Sequence, residues 1–399
     1  MVKNKTPKRK TGSKKRTVQR IQIQWPLVGI VLFIIAACLF RIFYEQNHAT
    51  LSTFRATPYY SAAPLIKPGV QPQLLLTPTS VKSTYNITST KNIGTGTIAI
   101  IDAYNDPNIQ NDLNVFDTHY GIAACTAANN CLEVHRTTTK LILSPTWAVE
   151  ESLDTEWAHA IAPGAHILIV EAQSDSGTDL LNAINYATSR SDVKAISMSW
   201  GGSEFSTEAS YESTFTDKYG AVFFASSGDS GHGTSWPSVS ANVVSVGGTT
   251  IKQNINGTFA SEVAWPGSGG GVSAYIPEPA RQVTYHVPNT GGHRATPDVS
   301  YDADPNSGFP VYDTLPYDGY AGWFQVGGTS AGAPQWAALE TLSGGTLTAN
   351  QLYLDAAKAK QTTLRDITTG TNGNCSLYCS AGTGYDYVTG LGSPIQTSF

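Results

Sequence analysis

Apolar and polar positions fall along this chain in blocks. Short runs of branched apolar residues, bounded by glycine, proline or small polar clusters, predict buried strands at 97–102, 166–171, 193–199, 221–226, 243–248 and 322–326. Between them, polar stretches predict helices near 109–119, 178–189 and 207–219, and a last helix runs from Ala331 to Leu342. The clearest helical stripe is Val149, Leu153, Trp157, Ala160 and Ile161, ended by Pro163-Gly164. Strands alternating with helices predict an α/β fold, a parallel sheet flanked by helices.

One apolar block is of another kind. Trp25 to Tyr44, broken only by Gly29 and Arg41, is long enough to cross the ~30 Å hydrocarbon core of a bilayer. Nine Lys and Arg residues and no acid occupy the first 20 positions, whereas Glu45 onward holds 15 basic and 30 acidic residues, a formal charge of −15. That asymmetry predicts a basic cytoplasmic tail over 1–24, a single transmembrane signal-anchor over 25–44 and an extracellular remainder attached to the cell membrane. Two readings compete: a cleaved signal peptide, which would make the domain secreted, and a lipoprotein signal at Ile35-Ala36-Ala37-Cys38. Residues 45–75 hold Pro58, Pro64, Pro68 and Pro72 with little periodicity and read as a linker to a domain over 76–399. So acidic a domain is unsuited to nucleic acid.

Composition narrows the class. With 41% hydrophobic and 14% charged residues the chain can bury a large core. Cys125 and Cys131 are six apart, Cys375 and Cys379 four apart, and Cys38 falls in the apolar run. Two local disulfides in an oxidising exterior are the simplest pairing; zinc is a poorer one, since no histidine sits at ligand spacing.

The candidate chemistry centres on Gly327-Gly328-Thr329-Ser330-Ala331-Gly332-Ala333-Pro334, a serine on a glycine turn that opens a helix. Gly231-His232-Gly233-Thr234 offers a histidine, but Ser235-Trp236-Pro237 follows as a turn rather than the helix that would aim an imidazole. Carboxylates supply the better base. Glu150 and Asp154 are four apart on one helical face, where a shared proton raises one pKa. Glu151 and Glu156 read as a solvated face. Asp229, in Ser227-Gly228-Asp229-Ser230-Gly231, ends the strand 221–226, where open α/β sheets place their sites, and when protonated it can donate to an oxyanion.

Together these segments resemble the sedolisin family of serine-carboxyl peptidases, from about Leu76 to the C-terminus. Thr97-Ile98-Ala99-Ile100-Ile101-Asp102-Ala103-Tyr104 and Ser197-Met198-Ser199-Trp200-Gly201-Gly202 belong to the resemblance. The serine motif is shared with subtilisins; the Glu/Asp pair with Asp229 separates the two. The resemblance implies a subtilisin-like fold and an acid endopeptidase. Ser330 would be nucleophile, Glu150 general base, Asp154 its orienting partner and Asp229 the oxyanion donor, with Asp102 a further carboxylate beside the pair. It also implies one Ca²⁺, held by the carboxylates of Asp366 and Asp386 and the carbonyls of Ile367, Gly382 and Gly384. The substrates would be proteins or peptides and the enzyme a monomer. A tripeptidyl exopeptidase would use the same residues, and an inactive peptide-binding relative is the other alternative. Family members usually carry a large N-terminal pro-domain; here only the linker stands between the apolar run and the domain.

Overall fold

A computed structural model of the protein describes residues 50–65, 75–87, 92–140, 142–345, 347–358 and 363–395. The basic tail and the apolar run expected to cross a membrane lie outside the described residues. Among the described residues no helix is long and apolar enough to do so.

The central strand, Thr97–Ala103, is buried along its whole length. Ile98 and Ile100 enter one core, and Ala99 and Ile101 the other, as period-two geometry requires of a strand covered on both faces. On one side it pairs with His166–Ala172 and then Leu132–Arg136; on the other come Val193–Met198, Val222–Ser226 and Val243–Gln253, all parallel. Phe259–Ala264 closes that edge antiparallel, and Val299–Asp302 adds an eighth strand parallel to Val243–Gln253. Helices Pro145–Ile161 and Gly332–Ser343 share one core with Ile109–Tyr120; Gly177–Ser189 covers the opposite face.

Four expectations need correction. The stretch 322–326 is a strand, Tyr320–Gly327, but it pairs antiparallel with Phe309–Tyr317 in a separate three-stranded sheet. The region near 207–219 forms only a 3₁₀ segment, Glu208–Phe215, in which Glu208 and Phe215 alone are buried, too little apolar surface to hold a longer helix. Glu151 and Glu156 are buried rather than solvated. The helix carrying them is covered on its outer side by Phe309–Tyr317, where Glu156 accepts from the Tyr312 N–H at 3.1 Å.

The fourth correction concerns 45–75. The described part, 50–65, is built into the body of the domain. Leu51, Phe54 and Ala56 are buried, with the Phe54 ring 4.8 Å from that of Trp236. Thr57–Pro58 pairs antiparallel with Trp200–Gly201, and Ser61–Pro64 with Phe324–Gly327. Proline is compatible with both short edges because neither Pro58 nor Pro64 must donate a hydrogen bond at the end of its strand.

Candidate active site

Three structural devices bring the carboxyls to the serine. Pro145 opens the helix Pro145–Ile161 at its first turn, where a missing N–H costs nothing. Trp157 Nε1–H then donates to the Pro310 carbonyl at 2.9 Å, fixing the rotation of the helix. Glu150 and Asp154 thereby point inward and are fully buried. Second, Asp102 sits near the end of the central strand, also fully buried, with no hydrogen-bond donor on either oxygen. Third, Ser330 lies in the 3₁₀ turn Thr329–Ala331, which runs directly into Gly332–Ser343.

The Ser330 hydroxyl donates to the Ser199 carbonyl at 3.0 Å, and both oxygens of the nearby Glu150 carboxyl are buried without a partner; the nearness of the hydroxyl favours the ionised form. Burial outweighs it, and with the neighbouring Asp154 and Asp102 pushes Glu150 well above the usual carboxylate range. Asp154 is raised too, first by burial and then by Asp102, against the Ser199 hydroxyl, which donates to both its oxygens at 2.8 and 2.7 Å. Burial, then Glu171, lifts Asp102 to about 8. Three carboxyls in one buried space cannot all ionise, so the set holds shared protons and titrates as a unit.

Asp229 faces the serine from the other side. Its Oδ1 accepts from the Thr329 N–H and hydroxyl, both at 2.8 Å. Its Oδ2 is buried without a partner, and burial raises the carboxyl to about 7 despite the Thr329 bonds. Below that pH a proton rests on Asp229, ready to be donated. Gly328 must be glycine here. Its φ is +128°, and a Cβ would stand 2.1 Å from the Tyr59 carbonyl oxygen and 2.5 Å from Asp229 Oδ2.

Tyr59 belongs to the strand-forming segment 57–64. Its N–H donates to Ser330 Oγ at 3.0 Å, and its carbonyl accepts from the Ser330 N–H at 3.1 Å. Its side chain borders a cleft of about 230 Å³ lined by Gly202, Ser227, Asp229, His232 and Ser235, where the phenol meets Ser235 Oγ at 2.6 Å. His232 therefore lines the neighbouring cleft; the hydrogen-bond partners of the Ser330 hydroxyl are the Ser199 carbonyl and the Tyr59 N–H.

Ser330, Glu150, Asp154, Asp229 and Asp102 are thus gathered at one place, although their separation in sequence spans 228 residues from Asp102 to Ser330. Sequence reasoning did not assign Ser199, Thr329, Tyr59 or Ser235. Ser199 and Thr329 stand inside the quoted motifs, so the signal was present; Tyr59 carried none, because its role depends on pairing across the chain.

At the C-terminal loops the Gly384 N–H donates to Asp366 Oδ2 at 2.9 Å and the Gly382 N–H to Asp386 Oδ2 at 3.1 Å. Ile367 is buried next to Asp366. Asp366 Oδ1 is buried without a donor, and burial raises both carboxyls. Both oxygens of Asp386 already accept from Gly382, Val388 and Thr389, so it is the orphaned Asp366 Oδ1, a hard oxygen donor beside glycine loops, that fits Ca²⁺. The expected disulfides, Cys125–Cys131 and Cys375–Cys379, are both formed.

Comparison with known proteins agrees with this geometry. Residues 77–382 match the model of the subtilase family, peptidase family S8, and the chain belongs to that family. Within it the chain is sedolisin-like. It is 32% identical over 259 residues to sedolisin of Pseudomonas sp. (strain 101), covering 55% of this chain and 43% of that protein. It is 35% identical over 279 residues to kumamolisin of Bacillus sp. (strain MN-32), covering 62% and 49%. The chain thus spans about half the length of the curated relatives it matches. Pseudomonas sedolisin complexed with two molecules of pseudo-iodotyrostatin superposes with a TM-score of 0.70 at 27% identity, over 81% of this chain and 96% of that one.

Proposed function

We infer that this domain is a serine-carboxyl endopeptidase that works at acidic pH. The observation that carries the reading is the Ser330 hydroxyl beside a buried carboxyl set, with a carboxyl of opposite duty, Asp229, across from it. Ser330 attacks the substrate carbonyl as Glu150 takes its proton. Asp154, held by Ser199, orients Glu150, and Asp102 keeps a proton in the set. Protonated Asp229 and the Ser330 N–H donate to the developing oxyanion. The Ser330 proton needs an ionised Glu150 while the oxyanion needs a neutral Asp229; burial keeps Glu150 mostly protonated, so the reactive form is the minority in which Glu150 is ionised and Asp229 is not.

Endopeptidase action is favoured over tripeptidyl action by segment 50–65. Thr57 is the third residue before the Tyr59–Tyr60 bond, and the chain continues through Ala56, Arg55 and Phe54 beyond it. A cleft closed after three residues would stop that path. Asp366, Asp386 and the carbonyls of Ile367, Gly382 and Gly384 would hold Ca²⁺, which would tie down the C-terminal loops. The charge asymmetry of the sequence supports an extracellular domain tethered by residues 25–44, and the peptidase family supports proteins or peptides as its substrates.

The test is hydrolysis of an unfolded protein at pH 3–5, with product lengths read by mass spectrometry. Ser330→Ala should fold normally and lose at least ~10³-fold in rate. A Ser330→Ala protein as fast as the wild type would exclude this mechanism.

A further inference from the structure

The two oxygens of Asp229 have unlike surroundings, and Thr329 makes them so. Oδ1 accepts from the Thr329 N–H and from the Thr329 hydroxyl, both at 2.8 Å. Oδ2 is buried with no partner. The hydroxyl is not free to turn away. Its oxygen accepts from the Gly228 N–H at 3.1 Å, and the Gly228 carbonyl is held in turn by the Gly269 N–H at 2.7 Å. Thr329 itself is fully buried, in the 3₁₀ turn that carries Ser330. A hydroxyl has one proton to give, and here it is directed at Asp229 Oδ1.

An oxygen that already accepts two hydrogen bonds is a poor place for a proton, because the proton would meet two donors head-on. The proton of neutral Asp229 therefore rests on Oδ2. That oxygen is on the side of the reaction. It lies 2.5 Å from the point where a Gly328 Cβ would stand, and the Tyr59 carbonyl oxygen lies 2.1 Å from the same point. The Ser330 N–H donates to that carbonyl oxygen at 3.1 Å. Oδ2 and the Ser330 N–H thus address one space.

We propose that Thr329 is a positioning residue for the reaction: by occupying Oδ1 with two donors it confines the Asp229 proton to Oδ2, aimed at the oxyanion. The proposal rests on the peptidase reading above and adds a residue to it. The hydroxyl has a second effect. A donor to a carboxylate favours the ionised form, so Thr329 holds Asp229 below the position that burial alone would give it. The bond that places the proton also loosens it. Few titratable groups surround Asp229. Glu150 faces it from the helix Pro145–Ile161 and the Tyr59 phenol from segment 57–64, while His232 lines the same cleft. Burial pushes Tyr59 up to about 12, so it stays neutral throughout. Among the described residues the Thr329 hydroxyl bonds to Gly228 and Asp229, so its removal alters no bond of the other three groups.

The test is Thr329→Val in the full chain, which keeps the shape and the backbone N–H and removes the hydroxyl. Hydrolysis of an unfolded protein is followed from pH 3 to 9, kcat and KM are separated, and folding is checked by urea unfolding. At pH 4 kcat should fall about 10-fold, less than the ~10²–10³ that losing a whole oxyanion donor costs. KM should change by less than ~3-fold, because the donor acts only in the transition state. The alkaline limb should move to higher pH, because Asp229 has lost a donor to its ionised form. That direction separates placement from damage. A merely weakened fold would lose its alkaline side sooner, since raised carboxyls such as Asp106 and Asp313 destabilise it as they ionise with rising pH. Thr329→Ser keeps the donor and should return kcat to within ~3-fold of wild type, with the limb in its original place. In an Asp229→Asn background Thr329→Val should no longer move the alkaline side, because the group that shifts is gone. A limb that stays in place or retreats in Thr329→Val, or a Thr329→Ser protein as slow as Thr329→Val, overturns the proposal and leaves the peptidase reading standing. A wild type without hydrolysis anywhere from pH 3 to 9 overturns both. Should Thr329→Val not fold, Thr329→Cys decides. Its thiol is a weak donor, so its limb must also move upward, and a limb that stays in place overturns the proposal.

Discussion

Asp229 shows how much one carboxyl depends on its surroundings. An aspartate in water is ionised above ~4, but here burial moves its titration to about 7. Activity should therefore fall as pH rises through about 7, as Asp229 loses the proton it donates. Asp229→Asn should remove most of that alkaline limb, since an amide donates at any pH. Rate profiles from pH 3 to 9 on an unfolded protein check this; an unchanged limb in the variant would assign it to another group. Ser330, Glu150, Asp154 and Asp229 were legible because residue type, spacing and position at strand ends coincide. Glu151 and Glu156 were misread. Two acids on a helix look solvated until the fold covers them, Glu156 by a strand 150 residues away and Glu151 among Glu171 and Asp106, although the absence of any Lys or Arg between Pro145 and Ile161 was a signal. Tyr59 could not have been read at all, because a Tyr-Tyr pair between prolines says nothing about what it crosses.

At the level of elements, the site depends on how one helix is held. Trp157 is fully buried and its single N–H donates to the Pro310 carbonyl. Trp157→Phe would leave that acceptor unpaired, and urea unfolding should show a loss of about 1–3 kcal/mol. The helix should also turn more freely, so peptide hydrolysis should fall along with stability. The Ca²⁺ proposed above would act on the C-terminal loops. Removing it with a chelator at pH 6.5 should lower the melting temperature, because the ion binds only the folded state. Asp386→Asn should melt like the chelated wild type and no longer respond to chelator. Five of the parallel strands and the helices 109–120, 145–161 and 177–189 were legible to within a few residues, because buried parallel strands are continuous apolar runs; Leu132–Arg136 and Val299–Asp302, short and mixed with charged or polar residues, were not. The antiparallel sheet of Phe309–Tyr317, Tyr320–Gly327 and Ser61–Pro64 was not, since its third strand lies in a proline-rich stretch far away in sequence.

Across the whole molecule, buried carboxyls set the dependence of stability on pH. Burial raises Asp106, Asp117 and Glu340 to about 7, Asp313 to about 8 and Glu208 to about 9, and it moves Glu151, Glu156 and Asp302 well above the usual range. Unfolded, these groups titrate near ~4, so from there up to about 9 the folded state holds protons that the unfolded state has shed. Stability must then fall as pH rises through that window. Melting scans at saturating calcium should give a midpoint at pH 4–5 several degrees above that at pH 8, each kcal/mol being worth roughly 2–4 °C. A midpoint that climbs toward neutrality would contradict the burial of these groups.

Segment 57–64 also ties the serine to two sheets at once. Tyr59 holds Ser330 through both its N–H and its carbonyl, while its neighbours pair with Trp200–Gly201 and with Phe324–Gly327. A slip of either edge therefore moves the hydroxyl itself, so fraying of these short strands and loss of the site's geometry are one event.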